Sequence, residues 1–418
     1  MVTYERHRLA NGLTVVTHEA WDTPLASVNL LYNVGSRDET PERTGFAHLF
    51  EHLMFGGTPE VPDFDAVISS AGGETNAFTT CDYTNYYMTL PAEELPTALA
   101  LEADRMAHLD ISEQALEVQQ HVVTEEYNQR YINQPYGDIW LLLRPLCYKV
   151  YPYRWPTIGA DIKHVSEATL ADVRAFHQRF YRPENAILAI AAPLKHDEML
   201  RMTVEAWGTA VEPTDNGTTP TCLTRSYPAE PEQKEARRLH VRREVPTSAV
   251  YLAYPMGDRE SGHFRTCDLI SDILGNGSSS RLYRHLVLDQ KLFIEADASI
   301  SGEAGPNMLV LSGKLQEGVT LEAGADALRR EAYALAGETV SDYELQKVQN
   351  KYENTFVFSQ YKASDRALAL CHYTWLGDTG LVNREPDEYR RVTAAQLQEA
   401  ARTVFNPHHE NLLYYEKI

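Results

Sequence analysis

The sequence of 418 residues contains no unbroken apolar run of the roughly 20 residues that a membrane-spanning helix requires, so we expect no insertion into a membrane. Basic residues are also scarce, since 38 Lys and Arg stand against 59 Asp and Glu and give a formal net charge of -21. Phosphate backbones are bound through an excess of Lys and Arg. Nucleic acid is therefore not an expected partner.

A disulfide framework and an export signal are both missing. The five cysteines are odd in number, scattered, and never spaced as Cys-x-x-Cys, which argues against disulfides and against a cysteine zinc site and predicts buried thiols. The amino terminus lacks the basic flank, apolar segment and cleavage site of an export signal. We therefore expect a cytoplasmic protein, or a periplasmic one if an export signal has been removed.

The second half of the chain repeats a pattern of the first half. Residues 250–260 echo residues 28–38 at a constant offset of 222 residues, with identical residues at Val28, Leu30, Tyr32, Gly35 and Arg37 of the first copy. A run rich in turn formers and poor in apolar periodicity separates the halves. We predict two homologous domains, 1–210 and 238–418, joined by a linker at 211–237.

The fold class follows from the order of the predicted elements. Alternation of apolar and polar residues predicts half-buried strands at Leu13 to Thr17 and Ser27 to Tyr32, and helical spacing predicts helices at Pro96 to His108 and Leu170 to Phe180. Strands and helices do not follow a strict βαβ rhythm. We therefore predict an α+β fold in which each domain is a mostly antiparallel sheet packed with helices.

The sharpest local signal is His48-Leu49-Phe50-Glu51-His52, in a helix-forming segment bounded by glycines. Residues four apart lie on one helix face, so the imidazoles of His48 and His52 can share one metal ion. Glu51 can reach a water on that metal without being a ligand itself. The rest of the helix is apolar, which predicts a dry interior where zinc lowers the pKa of its water from about 15.7 towards 7.

A third ligand has to come from elsewhere in the chain. Residues 119–130 form a predicted helical segment in which the carboxylates of Glu125 and Glu126 follow the apolar pair Val122 and Val123. Paired glutamates usually mark a solvated helix face. Beside a His-x-x-Glu-His motif, however, they become candidates for the missing ligand.

Together these segments resemble the pitrilysin, insulinase and mitochondrial processing peptidase family of zinc metallopeptidases (M16), in its short two-domain form, over essentially the whole chain. The resemblance implies a LuxS/MPP-like metallohydrolase fold and one Zn²⁺ per chain. Alignment of residues 122–126 on the family's ligand helix places Glu126 in the ligand position, with Glu125 as the fallback. The family often has a further glutamate where this chain has Gln119.

The resemblance also implies the chemistry of a metalloendopeptidase. His48, His52 and Glu126 would hold zinc and leave a fourth position for water. Glu51 would take a proton from that water and return it to the leaving amine.

A glycine pair precedes the segment Asn76-Ala77-Phe78-Thr79, which resembles the family's substrate-binding edge strand. An extended peptide can add to such an edge because the strand offers free backbone donors and acceptors. In this interpretation Asn76 orients the backbone near the metal. The plain alternative is a glycine turn that leads into an ordinary strand.

The second half lacks both functional sets of the family. At the offset of 222 residues, Ile270, Ile273 and Leu274 occupy the positions of the metal motif, so this half cannot bind zinc. Relatives supply an Arg and a Tyr, seven residues apart, from their non-metal half, but these positions fall on Val287 and Ile294 here. We therefore expect a heterodimer with a homologous subunit that carries the Arg and Tyr; a homodimer is the second choice.

Two other functions compete with a peptidase. The first is a non-catalytic scaffold of the same fold, as in the core subunits of respiratory complexes, although such subunits typically lose the metal motif that stands intact here. The second is a metal-dependent hydrolase of a small molecule. The predicted substrate strand and the duplicated architecture favour peptides.

Overall fold

The computed structural model describes residues 1–208, 211–212 and 225–418. The chain divides into two compact units, which we call unit 1 and unit 2. Unit 1 comprises Met1–Tyr127, Trp155–Tyr227 and Phe356–Arg384, and unit 2 comprises Asn128–Arg154, Pro228–Thr355 and Glu385–Ile418.

This division exchanges two segments relative to the domains predicted from sequence. Residues 128–154 belong to unit 2, and residues 356–384 belong to unit 1. The first segment carries a helix that packs on the unit 2 sheet, and the second carries a helix that packs on the unit 1 sheet. Each segment therefore belongs to the unit whose sheet its helix covers. Residues 213–224 of the predicted linker lie outside the described part of the chain.

A mixed sheet forms the centre of unit 1. In the described residues its strand order is β4-β5-β3-β6-β2-β1-β7, with β2 and β6 parallel and the other pairs antiparallel. The strands are β1 (Glu5–Leu9), β2 (Thr14–Glu19), β3 (Leu25–Tyr32), β4 (Glu74–Thr79), β5 (Thr84–Pro91), β6 (Ala186–Ala192) and β7 (Val211–Glu212). Strand β4 is an edge of this sheet.

Unit 2 contains a sheet with the order β10-β11-β9-β12-β8. Its strands are β8 (Arg237–Arg243), β9 (Ala249–Gly257), β10 (Phe293–Ile300), β11 (Asn307–Leu315) and β12 (Asn411–Lys417). This order matches β4-β5-β3-β6-β2 of unit 1, and the parallel pair occupies the same place in both. The agreement in order and direction supports the internal repeat found in the sequence.

The helices pack against these sheets or against other helices. In the described residues they are α1 (Phe46–Leu53), α2 (Phe64–Ser70), α3 (Leu95–His108), α4 (Glu113–Tyr127), α5 (Ile139–Cys147), α6 (Lys163–Ser166), α7 (Leu170–Phe180), α8 (His196–Trp207), α9 (Phe264–Leu274), α10 (Leu321–Gly337), α11 (Asp342–Phe358), α12 (Ala363–Trp375), α13 (Leu381–Arg390) and α14 (Ala394–Val404). Two π-helical segments, Asn128–Ile132 and Leu282–Asp289, interrupt the regular pattern.

One apolar core of unit 1 lies where α12 covers strands β3 and β6. Every residue of β6 is buried, so this central strand is apolar throughout instead of alternating. Ala367, Leu370 and Cys371 of α12 are fully buried in the same cluster as Leu31 and Ile187 of the sheet. Close packing of this kind fixes the central strands of the sheet.

The predicted α+β class with two homologous domains is confirmed. The four segments assigned from periodicity coincide with β2, β3, α3 and α7 to within two residues. Four of the five cysteines are buried free thiols, as predicted, and Cys222 lies outside the described residues. No helix of the described residues combines the length and the apolar character needed to cross a bilayer. The cytoplasmic location stays a prediction.

Candidate metal centre

Helix α1 carries the His-x-x-Glu-His motif and is fixed at its first turn. Gly45 precedes the helix with φ +88°, and a Cβ there would meet the Ile158 carbonyl oxygen at 2.7 Å, so glycine is required on both counts. The carboxylate of Glu39 accepts the backbone N–H groups of Gly45 and Ala47, both at 2.9 Å. A buried acid thus caps the positive end of the helix.

Burial governs the charge of this capping acid. Glu39 is 7% exposed, and burial raises the pKa of its carboxyl group well above the usual range, while the two amide donors oppose that shift. Sequence reasoning missed this residue because the cap lies six residues before Gly45, outside the usual spacing of a capping box.

The two histidines of α1 face the same direction, as their spacing predicts. The ring centroids of His48 and His52 are 4.9 Å apart, and the rings are nearly perpendicular. On the other side of the helix, Phe50 is fully buried and its ring stacks on Phe176 at 5.2 Å. This apolar contact anchors the helix, so the imidazoles are turned away from the core.

Helix α4 brings the carboxylate of Glu126 to these histidines. Its Oε2 atom lies 3.6 Å from Nε2 of His48 and 3.3 Å from Nε2 of His52. The helix is held by Val123, which is fully buried, and by Gln120, whose amide donates to the carbonyl oxygens of Val165 and Ala168.

This trio of side chains fits a zinc ion. The three candidate ligand atoms lie within 4.8 Å of one another, and no other group of three such side chains comes as close in the described residues. Two imidazoles and one carboxylate form a donor set typical of catalytic zinc, with one position left for water. The exposed fractions of the side chains are 11% for His48, 23% for His52 and 16% for Glu126, so water can reach them. The fallback ligand Glu125 is exposed and outside this group.

Glu51 is next to the candidate ligands and is held by a contact from another element. The hydroxyl group of Thr79, the last residue of β4, donates a hydrogen bond of 2.7 Å to Oε2 of Glu51. Both side chains are half-buried. The carboxylate is therefore held by the edge strand that the family resemblance predicts to bind substrate.

The other three residues of the predicted substrate segment also lie on β4. Ala77 pairs with Tyr86 and is on the same strand face as Thr79. Asn76 and Phe78 are on the opposite face; the ring of Phe78 packs near Tyr87, and the amide oxygen of Asn76 accepts the N–H of Ala77 at 2.8 Å. Ala77 and Thr79 therefore share one face of β4, and Asn76 and Phe78 share the other.

Unit 2 has an apolar helix at the repeat position of α1. Ile270, Ile273 and Leu274 of α9 are all buried in its core. Of the predicted Arg and Tyr positions, Val287 packs against that core and Ile294 is 51% exposed. Unit 2 therefore offers a hydrophobic core where unit 1 has its candidate metal ligands.

Comparisons with known proteins bear on both units. The model of the insulinase family (peptidase family M16) matches residues 14–135, and the model described as the peptidase M16 inactive domain matches residues 167–352. The chain belongs to peptidase family M16. The first match contains all the candidate zinc ligands and Glu51, and the second covers the apolar helix of unit 2.

Members of the M16 family similar to this chain are named zinc proteases. The zinc protease PqqE of Helicobacter pylori is 29% identical over 88% of this chain and 83% of its own length, and a zinc protease of Mycobacterium tuberculosis is 31% identical over 67% and 63%. The chain therefore spans less than two thirds of the mycobacterial relative. The crystal structure of a protease from Helicobacter pylori superposes with a TM-score of 0.91 at 26% identity, covering 100% of both chains.

Proposed function

We propose that this M16 chain is a zinc-dependent endopeptidase that hydrolyses extended peptides or unfolded segments. The observation that carries the proposal is the meeting of His48, His52 and Glu126, with Glu51 beside them. A bound zinc ion would polarise a water and lower its pKa from about 15.7 towards 7. In this proposal His48 and His52 bind the ion through Nε2 and Glu126 through Oε2.

Glu51 is the proposed general base and acid. It is one residue from His52 on α1, and its carboxylate is held from the side by Thr79, so it can accept a proton from the attacking water. The same carboxyl group then gives the proton to the leaving amine of the peptide. General acid–base catalysis of this kind contributes about 100- to 10,000-fold to a rate.

Substrate would bind along β4. The strand is the edge of the unit 1 sheet, and an extended peptide can extend that sheet through backbone hydrogen bonds. Thr79 at the end of this strand touches Glu51, which joins the proposed substrate edge to the proposed catalytic group. Folded proteins lack a free extended segment, so the expected substrates are peptides and unfolded chains.

A partner subunit is part of the proposal. The chain has Val287 and Ile294 at the positions where the family's Arg and Tyr are expected, and nearby Arg281 forms a two-pronged ion pair with Glu344, both distances being 2.9 Å. This arginine is therefore committed to the structure of unit 2. The beta subunit of the yeast mitochondrial processing peptidase, a subunit of a larger enzyme by its name, is 26% identical over 48% of this chain.

The test compares the wild-type chain with Glu51→Gln, first alone and then with any co-purifying subunit, on a fluorogenic peptide library. The proposal predicts zinc-dependent turnover that the substitution abolishes while zinc binding persists. Equal turnover by both proteins would refute the assigned base. If zinc is bound but neither the chain nor the complex cleaves any peptide, a non-catalytic scaffold function replaces the peptidase proposal. If the chain alone cleaves peptides as fast as its mixture with any co-purifying subunit, the proposal of an obligatory partner is refuted.

A further inference from the structure

We infer that Thr79 is a positioning residue for Glu51: its hydroxyl group fixes the orientation of the carboxylate that we propose as the general base. This inference rests on the proposed peptidase function. The hydrogen bond from Thr79 Oγ1 to Glu51 Oε2 measures 2.7 Å. A carboxylate can only accept, so the threonine hydroxyl must be the donor.

The bond restricts the side chain of Glu51. With Oε2 held by the Thr79 hydroxyl group, the carboxylate has fewer orientations open to it. A glutamate side chain has several rotamers of similar energy, and a bond to a charged acceptor is roughly twice as strong as a neutral one. One fixed donor can therefore select the orientation of the base.

Thr79 can act in this way because its backbone is fixed. It pairs with Thr84 across the β4–β5 hairpin, and the hydroxyl oxygen of Thr80 accepts the N–H groups of Asp82 and Tyr83 at 3.0 and 2.9 Å in the turn that follows. The Thr84 hydroxyl in turn donates to the buried carbonyl oxygen of Val34 at 2.9 Å. These hydrogen bonds fix the backbone of the hairpin that carries the Thr79 hydroxyl group.

The loop that holds this turn is itself tightly packed. Backbone N–H groups of Ser36 and Arg37 donate to the carbonyl oxygens of Thr80 and Cys81 at 3.3 and 2.9 Å. A Cβ at Gly35 would meet the Cys81 carbonyl oxygen at 2.4 Å, so the approach leaves no room for any other residue. The hairpin tip therefore cannot shift without breaking several contacts, and the donor of the bond stays in register.

The location of Thr79 links substrate binding to the base. Its backbone belongs to the strand on which a peptide would lie, whereas its side chain reaches Glu51. Loss of the hydroxyl leaves the backbone of β4 able to pair with a peptide. The expected defect is therefore in kcat and not in KM, which separates positioning from substrate binding.

The experiment compares Thr79→Val, Thr79→Ser and the matched control Thr89→Val in the full zinc-loaded chain, with its partner where activity requires one. Thr89 lies on β5, and its hydroxyl contacts Ser27 at 3.2 Å instead of Glu51. We expect Thr79→Val to lower kcat by about 10- to 100-fold, as for a lost charge-assisted hydrogen bond, with KM and zinc content unchanged. Serine keeps the donor and should restore kcat to within about 3-fold.

Several outcomes would overturn the inference. These are an unchanged kcat in Thr79→Val, a loss that falls on KM alone, or an equal loss in Thr89→Val. A crystal structure of the zinc-loaded Thr79→Val chain gives a reading that is independent of activity. Displacement of the Glu51 carboxylate supports positioning, and an unmoved carboxylate contradicts it. The peptidase proposal is tested separately by Glu51→Gln. If this variant turns over peptide at the wild-type rate, the proposed mechanism fails whatever the Thr79 variants show.

Discussion

His52 and Glu126 lie far apart in sequence, yet Nε2 of the first is 3.3 Å from Oε2 of the second. The histidine is in the last turn of α1, and the glutamate is in the last turn of α4. At neutral pH an ordinary pair of this kind would be a weak, solvent-screened contact. The second imidazole beside it, from His48, makes the three side chains candidate metal ligands.

We expect Glu126→Gln to weaken zinc binding by more than about 100-fold, beyond the loss seen when a group that merely orients a ligand is removed. Glu125→Gln is the matched control, because that side chain is exposed and outside the ligand group. Competition with a chromogenic chelator measures both affinities. A larger loss of zinc affinity in Glu125→Gln than in Glu126→Gln would identify Glu125 as the third ligand.

Glu51→Gln should keep one zinc ion per chain and lower kcat by about 100- to 10,000-fold, because glutamine cannot accept the proton. Steady-state hydrolysis and metal analysis of the same preparation check both parts. Loss of zinc together with activity would mean that Glu51 is a ligand and not the base.

Glu39→Ala should destabilise unit 1 and loosen the candidate metal site. The substitution leaves the N–H groups of Gly45 and Ala47 without their acceptor, at a cost of about 2 kcal/mol. Glu42→Ala, at an exposed position of the same loop, is the control. Thermal unfolding and zinc affinity are the measurements, and equal effects of the two variants would show that the cap contributes nothing.

The stability of unit 2 should depend on the charge of Asp268. Burial raises the pKa of this carboxyl group to about 6, although the Tyr389 hydroxyl donates to it at 2.6 Å. Because the folded pKa exceeds the ordinary value of 3.8, the stabilising contribution is complete below about pH 4 and is lost as the pH rises through 6. The free energy of unfolding of Asp268→Asn should therefore rise relative to that of the wild type by about 3 kcal/mol between pH 4 and pH 7. Urea unfolding at several pH values measures this gain, and a constant difference would refute it.

The sequence predicted those parts of the site that lie within one element. Helical spacing alone places His48 and His52 on one face, and the repeat of 222 residues anticipates that β9 matches β3 and that α9 lacks ligands. Glu126 required more, since nothing in the spacing of the chain brings α4 to α1; the family resemblance supplied that choice. Local periodicity thus accounts for β2, β3, α3 and α7 and for the shared face of the two histidines.

What the sequence could not reveal are contacts between distant side chains. The cap of α1 by Glu39 and the bond from Thr79 to Glu51 depend on how loops and the hairpin pack in three dimensions. The exchange of residues 128–154 and 356–384 between units depends on which sheet their helices cover. Such outcomes are set by tertiary burial, which a periodic pattern along one segment does not encode.

The central claim is that one zinc ion binds between α1 and α4. Anomalous diffraction from a crystal of the zinc-loaded chain, recorded on both sides of the zinc absorption edge, tests it most directly. We predict one strong peak per chain, within coordination distance of Nε2 of His48, Nε2 of His52 and Oε2 of Glu126. No peak at these three atoms, or a dominant peak elsewhere in the chain, would contradict the claim.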